Sequence, residues 1–263
     1  MMAFCATMFT ACSDDDDKDV DEGIADVEIL PKKIKRVLCY EGDDDYWTDS
    51  YEYDYDADGR IISCKTDDGI EKYTYSGNKI TIKNDSEEGN LILENGRIRS
   101  YSNVDHYDNE SENGTLKYDG NYLNKVNATF KDEEEETFTE TFSFSNGNMT
   151  KYKIEYSDGY YENTEFTYGN QLNNLNIDMF YFLECFDSYI GEVFKLGLIG
   201  KRSYYLPNSM MVSYPEWDDD DEKITRTETY TINMTYEMDG EYITKIIFKE
   251  DDGWTDTFVF EYE

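Results

Sequence analysis

The densest candidate chemistry is the run Asp54-Tyr-Asp56-Ala-Asp58-Gly59-Arg60-Ile61. Its acids, glycine and isoleucine fall at positions 1, 3, 5, 6 and 8 of a calcium loop, where oxygen ligands alternate along the chain and a glycine makes the sharp turn. Position 12 of such a loop is a bidentate glutamate; here it is Lys65. The flanking residues alternate as strands rather than helices. Asp54, Asp56 and Asp58 are therefore candidate metal ligands, with a hairpin turn as the plainer reading. Trp47, Trp217 and Trp254 each lie beside acidic residues in or near turns and are candidate ligand contacts, because exposed aromatic rings suit sugar and protein surfaces. Partial burial at sheet ends accounts for them equally well.

Much chemistry is excluded. The chain has one histidine, His106, so a histidine-based metal or catalytic cluster cannot form within it. G-x-S-x-G, H-E-x-x-H, P-loop and G-x-G-x-x-G motifs are all missing from the sequence. With 60 acidic residues, carboxylate pairs of the glycosidase type can be drawn anywhere, so spacing selects none. No catalytic residue and no cofactor is assigned, and the expectation is a non-enzyme. A formal charge of −36 argues against nucleic acid or bare anionic lipid as a partner, since both require a cationic surface.

Residues 1–11, MMAFCATMFTA, carry no charge and end in small residues, as a secretory signal does. Phe9-Thr-Ala-Cys12 resembles a bacterial lipoprotein box, which implies that Cys12 is acylated and becomes the first mature residue. The apolar stretch is short and lacks a positive start, so the true start codon is expected upstream. Residues 12–30 open with Ser13 and Asp14–Asp17 and read as a solvated acidic tether. This tether resembles the export signal of surface lipoproteins in Bacteroidota. Cys39, Cys64 and Cys185 remain, an odd set that allows at most one disulfide.

Residues 31–263 read as one domain of short strands. Tyr55…Ile61, Tyr75…Ile80, Leu93…Ile98, Tyr118…Leu123, Phe144…Met149, Tyr168…Leu172 and Tyr236…Ile243 each place apolar residues on both sides of a Gly/Asn/Asp tip. The first six recur roughly every 18–26 residues, as hairpins in an antiparallel meander do. Within strands the alternation is strict. Tyr51, Tyr53 and Tyr55 oppose Glu52, Asp54 and Asp56; Phe138, Phe142 and Phe144 oppose a run of Thr and Ser; Tyr230, Ile232, Met234 and Tyr236 oppose Thr229, Thr231, Asn233 and Thr235. With 25 Tyr and 14 Phe, the aromatic face can fill a core. The pattern predicts an all-β fold, an antiparallel meander of about 14–18 strands rolled into a porin-like or half-open barrel with its aromatic face inward.

The alternation breaks near residue 178. Met179, Phe182, Leu183, Phe186, Tyr189 and Ile190 fall at helical spacing, and Phe180, Tyr181 and Cys185 add apolar surface on other sides. This predicts one buried helix near 178–190, packed against or inside the curved sheet. Lys195, Lys201 and Arg202 form the one basic cluster, suited to an anion or, in so acidic a chain, to neutralising carboxylates.

YDYDADGRI (53–61), LENGRI (93–98), YDGNYLNKV (118–126), SNGNMTK (145–151), FTYGNQLNNLNID (166–178), GLIGKRSYYLP (197–207) and GEYITKI (240–246), taken with the lipoprotein start, resemble a Bacteroidota lipoprotein family of unknown function with a porin-like fold. The resemblance covers about residues 35–263 and implies architecture without an activity. YDYDADGRI alone also resembles the tyrosine-aspartate repeat of Rhs-type proteins. The functional expectation is a protein anchored in the outer membrane by N-terminal acyl chains and facing the cell exterior. It would bind a glycan, a peptide or an envelope protein; a structural or assembly role in an outer-membrane complex, or a carboxylate-based hydrolase, are the alternatives.

Overall fold

A computed structural model describes residues 32–42, 48–132, 134–183, 186, 188–218 and 223–263, the side chains of 217, 218 and 223–225 apart. Sixteen antiparallel strands follow in chain order: β1 (Ile34–Glu41), β2 (Asp49–Tyr55), β3 (Ile61–Lys65), β4 (Ile70–Ser76), β5 (Lys79–Lys83), β6 (Glu87–Glu94), β7 (Arg97–Asp105), β8 (Glu110–Asp119), β9 (Tyr122–Lys131), β10 (Glu135–Ser145), β11 (Asn148–Tyr156), β12 (Tyr161–Leu172), β13 (Tyr205–Asp218), β14 (Lys223–Asp239), β15 (Tyr242–Glu250) and β16 (Thr255–Tyr262). Each pairs with its neighbours in sequence, and β1 pairs with β16, so the sheet closes into a barrel. The expected meander is present, and it is closed rather than half-open.

The alternation in the sequence becomes the inside and outside of this barrel. Tyr53, Phe138, Phe142, Met234, Phe248, Phe258 and Phe260 are buried on the inner face. Lys72, Lys117, Glu165 and Lys249 stand exposed on the outer face, and Lys151 and Lys245 make ion pairs there with Glu165 and Glu237 at 3.2 and 2.8 Å. Each lysine facing lipid near a bilayer midplane costs about 2–4 kcal/mol. The outer face is therefore built for water, and the polarity is the reverse of a membrane-spanning barrel's.

One rim of the barrel carries the short hairpin tips. Asn95-Gly96 and Asn146-Gly147 have positive φ at both residues, the conformation of type I′ turns, whose twist matches that of paired strands. Near this rim six of the eight even-numbered strands carry the repeated tyrosine, and its role is now visible. Tyr55, Tyr75, Tyr118, Tyr168, Tyr236 and Tyr262 each donate a hydroxyl hydrogen bond, 2.5–2.9 Å, to a carbonyl of the preceding strand: Ile34, Ile61, Ile98, Met149, Pro207 and Ile243. The residue before three of these acceptors lays a cation on the same ring: Lys33 over Tyr55, Arg60 over Tyr75 and Arg97 over Tyr118. The sequence repeat is thus a set of cross-strand latches.

Sixteen strands enclose a bore that strand side chains alone do not fill. The connection between β12 and β13, residues 173–204, fills it. A 3₁₀ turn (Met179–Leu183), a five-residue helix α1 (Tyr189–Val193) and a second 3₁₀ turn (Phe194–Leu196) lie inside. One short buried helix is present, as expected, but it runs Tyr189–Val193, and the expected span 178–190 opens on the 3₁₀ turn Met179–Leu183 instead. Phe180, Phe182 and Phe186 meet rings on different strands of the barrel, which the 3₁₀ turn and the break after it make possible. Phe186 stacks on Phe194 with centroids 4.6 Å apart and meets Tyr152 edge-on at 4.7 Å. Phe180 meets Phe166 at 5.1 Å, and Phe182 meets Phe260 at 5.2 Å.

Phe182 and Phe186 are 2% and 9% exposed. Truncating either to alanine should cost about 3–5 kcal/mol, as for other buried phenylalanines. Chemical denaturation reads this directly; a loss below about 0.5 kcal/mol for both, the range of surface changes, would place the segment outside the core.

Candidate functional site

The rim opposite the two-residue tips is formed by longer connections, 66–69 and 84–86 among them. Here the ends of β2, β3 and β4 border a cleft of about 370 Å³. Alternation brings Tyr51 and Cys64 to its wall and Glu71 to its floor; the connections add Asp49, Thr66, Asp68, Asn84 and Asp85. The plug closes the floor with Tyr181, Glu192 and Lys195.

Lys195 is 4% exposed. Its Nζ donates to Glu71 Oε2 at 2.7 Å and Glu192 Oε2 at 2.9 Å, and sits 5.2 and 5.6 Å from the ring centroids of Tyr181 and Tyr73. Burial opposes the charge on Lys195, but Tyr181, Glu192 and Glu71 around it more than compensate, so its pKa lies well above that of an ordinary lysine. Burial raises Glu71 despite the ammonium beside it, and pushes the Cys64 thiol up to about 12, leaving it an unreactive thiol. The floor is an ion cluster of two carboxylates on one ammonium, while the mouth carries Asp49, Asp68, Asp85 and Glu87.

Glu71 is one of three glutamates that point into the bore and hold the plug. On β8, Glu112 accepts from the Tyr101 hydroxyl and from the Tyr189 backbone N–H, 3.1 Å from Oε2. On β10, Glu140 Oε1 accepts from Tyr152 Oη and Ser188 Oγ, both at 2.8 Å, and Ser188 in turn caps α1 by accepting from Ile190 N–H. Gly89 and Gly114 are cut back to bare backbone where the rings of Tyr189 and Tyr101 press on them; a Cβ at either would collide with the ring. Sequence reading missed this triad. The available signal is a carboxylate in the apolar phase of an alternating strand, as in Phe138-Thr-Glu140-Thr-Phe142.

The residues singled out from sequence separate. Asp54 lies on β2 and accepts from Ser63 Oγ at 2.7 Å. Asp56 accepts from the N–H groups of Asp58 and Arg60 and pairs with the Arg60 guanidinium, which also reaches Asp58 at 3.2 Å. A guanidinium and turn amides thus occupy the loop that resembles a calcium site, and no group of metal-ligating residues is found among the described residues. Trp254 is half exposed on the long-connection rim, with its indole N–H donated to Asp256 at 2.9 Å. Trp47, the Trp217 side chain, Cys185 and the whole signal-and-tether segment with Cys12 lie outside the described residues. Of the basic cluster, Lys195 neutralises carboxylates, and Arg202 donates to the Leu175 carbonyl near buried Asp178.

Comparison with protein families finds no match, and comparison with curated proteins finds none either. Comparison with solved structures does. The chain shares its fold with porin-like proteins of Bacteroides. A porin-like protein from Bacteroides vulgatus aligns with a TM-score of 0.70 over 88% of this chain and 99% of its own, at 16% identity. One from Bacteroides uniformis aligns with a TM-score of 0.63 over 89% and 99%, at 18% identity. At such identities the likeness establishes the fold: an all-β closed antiparallel barrel with one short helix.

Buried Asp178 gives a pH signature. Burial raises its carboxyl from 3.8 to about 6, against the pull of Arg202 and of the Phe180 N–H. Glu71 and Glu112 are raised in the same sense by burial. The folded state therefore binds these protons more tightly than the unfolded state does. Stability should fall as pH rises from about 4 to 6 and bear the full cost above that. Unfolding midpoints should be higher at pH 5 than at pH 7.5, and Asp178→Asn should narrow that gap. An unchanged gap in the variant would show that Asp178 does not titrate in this window.

Proposed function

We propose that this protein is a non-enzymatic binding module, anchored in the outer membrane through acyl chains on Cys12 and held at the cell exterior by the acidic tether. The observation that carries the reading is the filled bore. A barrel whose interior is packed with aromatic side chains conducts nothing, and a polar outer face does not span a bilayer. The cleft on the long-connection rim stays open to solvent.

The cleft selects its ligand by charge. Asp49, Asp68, Asp85 and Glu87 surround its mouth, and its one ammonium is already held by Glu71 and Glu192. A ligand that brings its own cations fits: a basic peptide segment, as an exposed loop of an envelope partner would present. Trp254, and Trp47 and Trp217 with it, are proposed as further ligand contacts. The ion cluster at the floor fixes Glu71 and Glu192 on one lysine, which suits a structural floor better than the proton exchange of a hydrolase.

Two measurements test this. Labelling of cells with a clickable fatty acid should mark the protein, and Cys12→Ala should abolish both the label and membrane retention. Titration of the purified protein with an oligolysine peptide should show binding that weakens with salt and falls at least tenfold in an Asp68→Asn, Glu87→Gln double variant. No binding, or binding indifferent to both substitutions, would overturn the cleft as the site.

A further inference from the structure

The latch repeat has one exception that opens a site. At the short-tip rim the ladder between each odd strand and the next even strand stops short of the hairpin in seven seams, for example at Arg36↔Glu52, Ser100↔Thr115 and Lys125↔Thr141. In six of these a tyrosine hydroxyl bridges the parted strands. The eighth seam, β5/β6, stays paired out to Lys79↔Ile92 and needs no latch, and Leu93 occupies the tyrosine position. The β9/β10 seam parts like the others, yet its latch position is Phe144. Phe144 has no hydroxyl to offer the Leu123 carbonyl, the counterpart of the Ile98 carbonyl that Tyr118 bonds.

The consequence is a slot of about 320 Å³ between the β8–β9 and β10–β11 hairpins. That is at the lower end of the range of about 300–1,000 Å³ typical of small-molecule sites. The residue that lays a cation on the latch ring elsewhere is here Tyr122, whose ring lies 4.6 Å from that of Phe144 at an angle of 32°. Both rings are half-buried, so they line the slot as a pair of adjoining apolar faces. Asp119, Asn124, Ser143 and Asn146 surround them with hydrogen-bonding side chains exposed to solvent.

We infer that this slot binds a neutral saccharide. A pyranose has an apolar C–H face and an equatorial rim of hydroxyls. The Tyr122–Phe144 pair offers a surface for the first, and the acid, amides and hydroxyl offer both acceptors and donors for the second. No lysine or arginine lines the slot, and Asp119 disfavours acidic sugars. The slot lies on the opposite rim from the cleft of the preceding section and stands independently of it.

Phe144→Tyr is the decisive variant, since it supplies the missing hydroxyl and should close the seam onto Leu123. Titration with neutral hexose disaccharides, maltose, cellobiose and lactose, should show binding of at least one by the wild-type protein. Affinity should fall at least tenfold in both Phe144→Tyr and Tyr122→Ala, while Asp68→Asn leaves it unchanged. The unfolding midpoint of Phe144→Tyr should stay at or above the wild-type value, which separates closure from misfolding. Absence of binding to all three sugars at millimolar concentration, or binding unaffected by Phe144→Tyr, would overturn the inference.

Discussion

A closed sheet of sixteen strands creates an interior too wide for its own side chains, and the rest of this structure follows from filling it. Water could fill it, as in a channel, but the inner face here is aromatic and aliphatic. Residues 173–204 supply the missing volume. Their irregular backbone is what allows Phe180, Phe182 and Phe186 to meet Phe166, Phe260 and Tyr152 on different strands. The polar groups that such a backbone brings into the bore are then matched by glutamates placed on the walls. Glu112 receives the Tyr189 amide, Glu140 the Ser188 hydroxyl, and Glu71 the Lys195 ammonium. The wall carboxylates and the plug are complementary, and neither is tolerable in a dry interior without the other.

The word porin-like, borne by the Bacteroides proteins that share this fold, bears here on fold alone. In this chain the distribution of polarity is the opposite of a porin's. Charged side chains alternate outward, the aromatic ones inward, and the tyrosines sit where the strands part at one rim rather than as belts facing lipid. The same topology can therefore serve either solvent, and the phase of the alternation decides which.

Much of this was legible in the sequence because period-two alternation and turn chemistry are local. The strands around Tyr53, Phe142 and Met234, the hairpin tips and the inward aromatic face could all be read from single segments. So could the break near 178. The latches could be seen as a repeated tyrosine but not understood, because each acceptor carbonyl belongs to a different strand, 14 to 29 residues away in sequence. The plug's helix was overextended, since helical spacing over Met179–Ile190 reports apolar positions and not the several directions in which they must point. The cleft was illegible, because it joins β2–β4 to Lys195 over more than a hundred residues. Asp54, Asp56 and Asp58 drew attention by spacing alone, and a neighbouring arginine absorbs two of them.

The pairing of β1 with β16 sets the order of assembly. Every other ladder joins neighbours in sequence, a low-cost closure, but this one joins the two ends of the barrel and must wait for the last strand to be made. Until then the growing sheet has two open edges, and the plug that fills it arrives only after twelve strands. A chain emerging end first would hold an aromatic, unclosed sheet until its last strand appears. Its dense negative charge keeps such intermediates apart from one another during that interval, as self-repelling surfaces keep open edges from pairing between copies.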